Sequence, residues 1–172
     1  NPGALITNGN PILLNKECTE VHHEAELVVV IGKAAKNVPE KDAVSYVDGF
    51  CVGNDVTDRT IQAAEATFAR AKSMDTFAPI SNTIVRTTEW ANKSIKLWVN
   101  NELRQSSLTS DMIFSVPYLI HFMSRFFTLH PGDLIFTGTP SGVGKIAPGD
   151  KVKIEIEGIG TLENPVEREE NF

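Results

Sequence analysis

The run Leu27-Val28-Val29-Val30-Ile31, closed by Gly32, constrains this chain most, because five consecutive apolar residues give a strand no polar face. It reads as a largely buried strand over residues 24–31, yet its first residues are Glu24-Ala25-Glu26. Side chains two apart on a strand point the same way, so both carboxylates project together. Like charges so placed repel one another and lose solvation unless a cation lies between them. A divalent metal meets that need most simply. An exposed edge strand with two solvated glutamates, or a Glu–Lys ion pair, satisfies the same spacing, and spacing alone favours this alternative.

A chain of 172 residues is expected to form one domain, 1–172, with a sizeable core. Hydrophobic residues at 41% and charged residues at 22% place it among globular proteins. The net charge of −6 argues against nucleic acid and against an anionic membrane as partners. No apolar run approaches the ~20 residues of a membrane helix. Cys18 and Cys51 are far apart and lack a CxxC partner, so neither a zinc knuckle nor a redox pair is signalled. Cys51 lies in an apolar segment and reads as a small core hydrophobe. Two isolated thiols fit a reducing, intracellular compartment, either cytoplasmic or mitochondrial. The sequon Asn92-Lys93-Ser94 is discounted, since nothing else suggests secretion.

Short strands dominate the pattern. They are expected near 11–14 and over 24–31, 46–56, 96–99, 102–105, 134–137, 151–157 and 161–166. Asn100-Asn101 forms a hairpin turn, and Pro131-Gly132-Asp133 and Pro148-Gly149-Asp150 are turns leading into strands. A short helix is read at 40–45 and a longer one at 59–70. The best helix follows Ser115 as N-cap, with Pro117 in its first turn and Val116, Leu119, Ile120, Met123 and Phe127 as an apolar stripe. Many strands with one main amphipathic helix indicate a β-rich α+β fold with antiparallel or mixed sheet, not alternating βαβ.

Asp55, in Gly53-Asn54-Asp55-Val56-Thr57, is the best third ligand for a cation held by Glu24 and Glu26. Three carboxylates without cysteine or HxxxH favour Mg²⁺, Mn²⁺ or Ca²⁺ over Zn²⁺. Strand parity places His22 on the side of the glutamates, as a group behind the ligands; His121 and His130 read as structural. Arg70-Ala71-Lys72-Ser73 offers two cations and a hydroxyl. Lys72 is placed to bind a substrate carboxylate or a developing enolate, or else to pair with Asp75 or Glu65. Thr137-Gly138-Thr139-Pro140-Ser141-Gly142-Val143-Gly144-Lys145 fails as a phosphate loop: the glycine spacing is one residue too long and Ile146 replaces the hydroxyl residue. What remains is a glycine-rich loop able to offer backbone N–H groups, Gly138 among them, and the Thr139 hydroxyl.

Six collinear stretches together resemble the fumarylacetoacetate hydrolase family. They are residues 23–27 running into 30–33, 46–50 running into 54–57, 70–77, 109–114, 129–140 with Gly142-Val143-Gly144, and 154–160. The resemblance overrides the solvated-glutamate alternative. It implies a mixed, rolled, barrel-like sheet of the family's C-terminal-domain type and a homodimer. It also implies a Mg²⁺ or Mn²⁺ held by Glu24, Glu26 and Asp55. Lys72 matches the family's active-site lysine, Thr139 its substrate-contacting threonine, Gln62 a polar residue of the pocket and Arg59 an arginine near the site. Gly138 and Ser73 go with them as substrate-binding positions.

Three departures stand out. The usual Thr-Ala-Arg-Asp segment reads Thr57-Asp58-Arg59-Thr60, and the link from Gln62 to Lys72 is short. The family's N-terminal lid, with its His–Glu acid–base pair, is expected before Asn1 and so absent from this chain. The short loop from Gly144 to Gly149 resembles the acylpyruvase and oxaloacetate decarboxylase branch. The expected activity is therefore hydrolysis of acylpyruvates, or decarboxylation or tautomerisation of oxaloacetate, through a metal-chelated enolate of a small 2-oxo acid. Isomerisation of unsaturated oxo-dicarboxylates is the alternative within the family. A degenerate metal-binding or interaction protein, suggested by Asp58-Arg59-Thr60, is the alternative outside enzymes.

Overall fold

A computed structural model describes residues 1–170 of the chain. The first strands are β1 (Leu5–Thr7), β2 (Ile12–Leu14), β3 (Val21–His23), β4 (Ala25–Ile31), β5 (Val47–Asn54) and β6 (Thr57–Asp58). Two short helices follow, α1 (Arg59–Ala64) and α2 (Ala69–Lys72), then β7 (Ala78–Ile80), β8 (Ser94–Val99) and β9 (Glu102–Leu108). The main helix α3 (Val116–Phe126) precedes β10 (Leu134–Phe136), β11 (Gly144–Lys145), β12 (Lys151–Ile156) and β13 (Gly160–Arg168). The expected α+β, strand-rich architecture with one main helix is therefore present. The strands form three sheets, ordered β1-β7-β5-β4-β10, β11-β3-β6 and β2-β13-β12-β8-β9. Pairings are antiparallel except β1–β7 and β13–β2, so the two five-stranded sheets are mixed and the three-stranded one is antiparallel. None of the three closes on itself into a barrel among the described residues.

β4 is an inner strand of the first sheet, between β5 and β10, and is buried along its whole length. Leu27, Val29 and Ile31 enter the main core with Leu97, Ile154 and Phe50, while Val28 and Val30 pack with Cys51 in a second cluster on the other face. This two-sided burial is why the run carries no polar alternation. Cys51 is the core hydrophobe expected of it.

α3 starts where the sequence predicts, with the Ser115 side chain accepting from the Tyr118 N–H. Val116, Ile120 and Ser124 are buried. Phe127 is the C-cap residue and is 62% exposed, so it leaves the stripe assigned to it. Along the outer side runs a ladder of rings: Phe114, just before the helix, Tyr118 and Phe122 are stacked, and Phe126 is tilted against Phe122. The single helix expected over 59–70 is two pieces instead. α1 buries no residue, so no apolar contact extends it, and it ends at Glu65 in extended conformation. Among the described residues no helix is long and apolar enough to cross a membrane.

Candidate active site

Sheet register assembles the acidic residues. β4 pairs antiparallel with β5 at Ala25↔Asn54, and one step further Asp55 donates its N–H to the Glu24 carbonyl at 3.0 Å. On the other side β4 pairs with β10 at Val28↔Phe136. Continuing that register by two residues brings Gly138 opposite Glu26, and the Gly138 N–H donates to Glu26 Oε2 at 2.7 Å. Glu24, Glu26 and Asp55 thus each offer a carboxylate oxygen within 4.8 Å of the others. The two glutamates are only 7% and 2% exposed.

The strand is interrupted at Glu24, contrary to the continuous strand expected. Asn54 Oδ1 takes the Glu24 N–H at 2.9 Å, replacing a ladder bond, and Glu24 stands between β3 and β4. The break defeats the parity argument for His22, whose Nε2 pairs with Glu20 at 3.0 Å instead. His23 is the buried one: its Nδ1 lies 3.0 Å from Gln105 Oε1.

Two cations neutralise part of the acidic charge. Lys72, in the last turn of α2, donates to Glu24 Oε2 at 3.0 Å, Asp55 Oδ2 at 2.5 Å and the Thr57 hydroxyl at 2.9 Å. Arg59 Nη2 meets Glu24 Oε1 at 2.5 Å, and its Nη1 donates to Gln62 Oε1 at 2.8 Å. Neither carboxylate named from sequence as an alternative partner for Lys72 is used: Asp75 accepts from Asn1, and Glu65 pairs with Arg70. Asp58, the departure from the family pattern, caps α1 by accepting from the N–H groups of Thr60 and Ile61. It thereby fixes the helix that carries Arg59 and Gln62.

Burial, then the neighbouring Asp55 charge, pushes the Glu26 carboxyl up to about 8. Burial also raises Asp55, against the opposing pull of Lys72. For Lys72 burial works against the charge, but the Asp55 and Glu24 carboxylates outweigh it and hold the ammonium above its usual range. The two cations pair with Glu24 and Asp55, so Glu26 has no cationic partner among the described residues and its buried carboxyl holds its proton near neutral pH. Oxygen donors without a thiol or imidazole fit a hard divalent cation such as Mg²⁺.

Gly138 and Thr139 also border a cavity of about 480 Å³, whose other walls include Leu27, Ile95, Met112 and Thr137. The acidic trio lies outside that lining. Among the residues singled out from sequence, Glu24, Glu26, Asp55, Lys72, Arg59, Gln62 and Gly138 form one contact network. Thr139 joins it through its loop. Ser73 does not join: its hydroxyl is bonded to the Ala69 carbonyl within α2. Sequence reasoning missed Asn54, Thr57 and Gln105. Gln105 is the one buried residue of β9, and its same-parity neighbours Leu103 and Ser107 are not buried, so no alternation in the sequence marks it.

Residues 1–167 match the family described as fumarylacetoacetate (FAA) hydrolase C-terminal. A 4-hydroxyphenylacetate degradation bifunctional isomerase/decarboxylase of Escherichia coli is 47% identical over 154 residues, covering 87% of this chain and 36% of that protein. A mitochondrial oxaloacetate tautomerase of Arabidopsis thaliana is 42% identical over 169 residues, covering 95% of this chain and 76% of that protein. The crystal structure of a 5-carboxymethyl-2-hydroxymuconate delta-isomerase from Mycobacterium smegmatis superposes with a TM-score of 0.96 at 42% identity. That match covers 98% of this chain and 67% of the other. The chain thus spans from about a third to about three quarters of the length of these relatives.

Proposed function

The chain belongs to the fumarylacetoacetate hydrolase family, and from that premise we propose that it is a divalent-metal-dependent enzyme acting on small 2-oxo acids through their enolates. Acylpyruvate hydrolysis and oxaloacetate decarboxylation or tautomerisation are the reactions in view. One observation carries the reading: three buried or half-buried carboxylates converge within 4.8 Å beside a lysine and a loop of hydrogen-bond donors.

Glu24, Glu26 and Asp55 would hold the cation, Mg²⁺ or alternatively Mn²⁺ or Ca²⁺. When bound, it supplies Lewis acidity toward the carboxylate and 2-oxo oxygens of the substrate. The protein's own part is to place fixed donors where charge develops. Breaking the C3–C4 bond, one carbon removed from the 2-oxo carbonyl, leaves its electron pair on C3 as an enolate, for which Lys72 and the Thr139 hydroxyl are the proposed donors. Arg59, held by Glu24 and Gln62, would add a guanidinium beside the site for an anionic substrate. We also propose a homodimer, supported by the exposed ring ladder of Phe114, Tyr118, Phe122 and Phe126. Light scattering tests it.

Oxalate mimics the enolate of a 2-oxo acid. It is expected to raise the melting temperature only with Mg²⁺ present, and Glu26→Ala is expected to abolish the shift. A wild-type protein without a Mg²⁺-dependent shift would overturn the reading in favour of a degenerate site. The names of the Escherichia coli and Mycobacterium smegmatis relatives support a second reading, isomerisation of unsaturated oxo-dicarboxylates. Product analysis by NMR with acetylpyruvate and oxaloacetate, against an unsaturated oxo-dicarboxylate, separates the two.

A further inference from the structure

Gln105 is 1% exposed, and its carboxamide makes all four hydrogen bonds open to it. Oε1 accepts the Ala25 N–H at 3.1 Å and lies 3.0 Å from His23 Nδ1. Nε2 donates to the Pro140 carbonyl at 2.8 Å and to Thr139 Oγ1 at 2.9 Å. Two of these partners fix which end of the amide is which. The Ala25 N–H can only donate and the Pro140 carbonyl can only accept, so a reversed amide would set donor against donor and acceptor against acceptor.

Two consequences follow for the partners whose hydrogens are mobile. His23 must carry its proton on Nδ1 to serve Oε1, which leaves Nε2 bare, and that atom has no partner among the described residues. The Thr139 oxygen must accept from Gln105, so its own O–H cannot point back at the amide. Among the described residues no protein acceptor takes that O–H. Thr139 borders the cavity, and the neighbouring Gly138 N–H is bonded to Glu26.

We infer that Gln105 is a positioning residue that sets the Thr139 hydroxyl as an outward donor, aimed at an anionic oxygen of the ligand. The same amide grips Ala25, between the two glutamates, and Pro140 in the loop. One buried side chain therefore ties the acidic residues to the donor that faces the ligand. The inference rests on the 2-oxo acid reading above for the identity of that oxygen.

The experiment is a double-mutant cycle on Gln105→Met and Thr139→Val. Oxalate affinity is measured by calorimetry in Mg²⁺, with the melting temperature of each variant alongside. Thr139→Val is expected to weaken oxalate about tenfold or more, as for a lost donor to a charged group. Thr139→Ser is expected to restore binding. Gln105→Met is expected to weaken oxalate when Thr139 is present and to cause no further loss, within about twofold, in the Thr139→Val background. Equal losses in both backgrounds, or none in either, would overturn the inference. A second readout needs no ligand: ¹⁵N NMR of the His23 ring should show the Nδ1–H tautomer, and an Nε2–H tautomer would mean a reversed amide. Wild-type protein that fails to bind oxalate defeats the 2-oxo acid reading and the inference with it. Normal wild-type binding without coupling defeats the inference alone.

Discussion

Replacing Glu26 by glutamine should make the metal-free protein more stable near neutral pH, although it removes a group the site depends on. Glu26 is 2% exposed, and its carboxyl titrates at about 8 instead of the ordinary 4.5. Below pH 4.5 the carboxyl is protonated in both the folded and unfolded states and contributes no penalty. As pH rises toward 8 the unfolded chain releases the proton while the folded protein retains it, so stability falls. Above pH 8 the penalty is constant. With each pH unit worth about 1.4 kcal/mol, the cost at pH 7 is about 3 kcal/mol. Glutamine is never charged, keeps an oxygen for the Gly138 N–H, and presents its NH₂ to nearby carboxylates. Urea unfolding in EDTA should show Glu26→Gln gaining under about 1 kcal/mol at pH 5 and about 3 kcal/mol at pH 7. Adding Mg²⁺ should stabilise wild type and leave the variant unmoved. A variant less stable than wild type by the same margin at every pH would refute the reasoning, because Glu26 would then be ionised and fully compensated where it lies.

Lys72→Met removes the bonds to Glu24, Asp55 and Thr57. With Lys72 about one quarter exposed, the loss in EDTA should be about 2 kcal/mol, smaller in saturating Mg²⁺. Thermal melts with and without Mg²⁺ check this; identical losses would show that lysine and cation do not share carboxylates. His23 gives the protein an acid limit of opposite sign. Burial pulls its pKa from 6.5 down to about 4, so stability is complete above pH 6.5 and falls as pH drops toward 4. The loss should reach about 3 kcal/mol, measured by acid unfolding against His23→Asn, which keeps a donor near the Nδ1 position without titrating.

Part of this arrangement is legible in the sequence because it depends on one-dimensional pattern. β4 is visible as an unbroken apolar run, α3 as a capped amphipathic stripe, and β12 as a strict alternation. Carboxylates where a buried strand begins are conspicuous for the same reason: burial makes them costly. What the pattern hides is any interaction in which a side chain replaces a backbone partner. Asn54 ends the β4 ladder at Glu24 by taking its N–H, and with that the face of His22 is lost. Lys72 lies 48 residues from Glu24 along the chain, and its ion pairs depend on how α1 and α2 fold back. Gln105 is 80 residues from Ala25, in a strand of another sheet, and no local propensity marks it.

The register accounts for why the site tolerates this mixture of visible and hidden parts. One strand, β4, has Asp55 beside it through β5 and Gly138 beside it through β10. A slip of one residue in either pairing would turn every inward side chain of β4 to the opposite face, exchanging Leu27, Val29 and Ile31 with Val28 and Val30. The two clusters differ in size, since Val28 and Val30 meet only the small group around Cys51. Gly53 forbids an exchange as well, because a side chain there would collide with Val28 and with Phe136 of β10. The hydrophobic core thus sets the register, and the register sets where the carboxylates converge. Charged residues that repel one another need not find each other during folding, since the apolar residues that follow them along β4 bring them together.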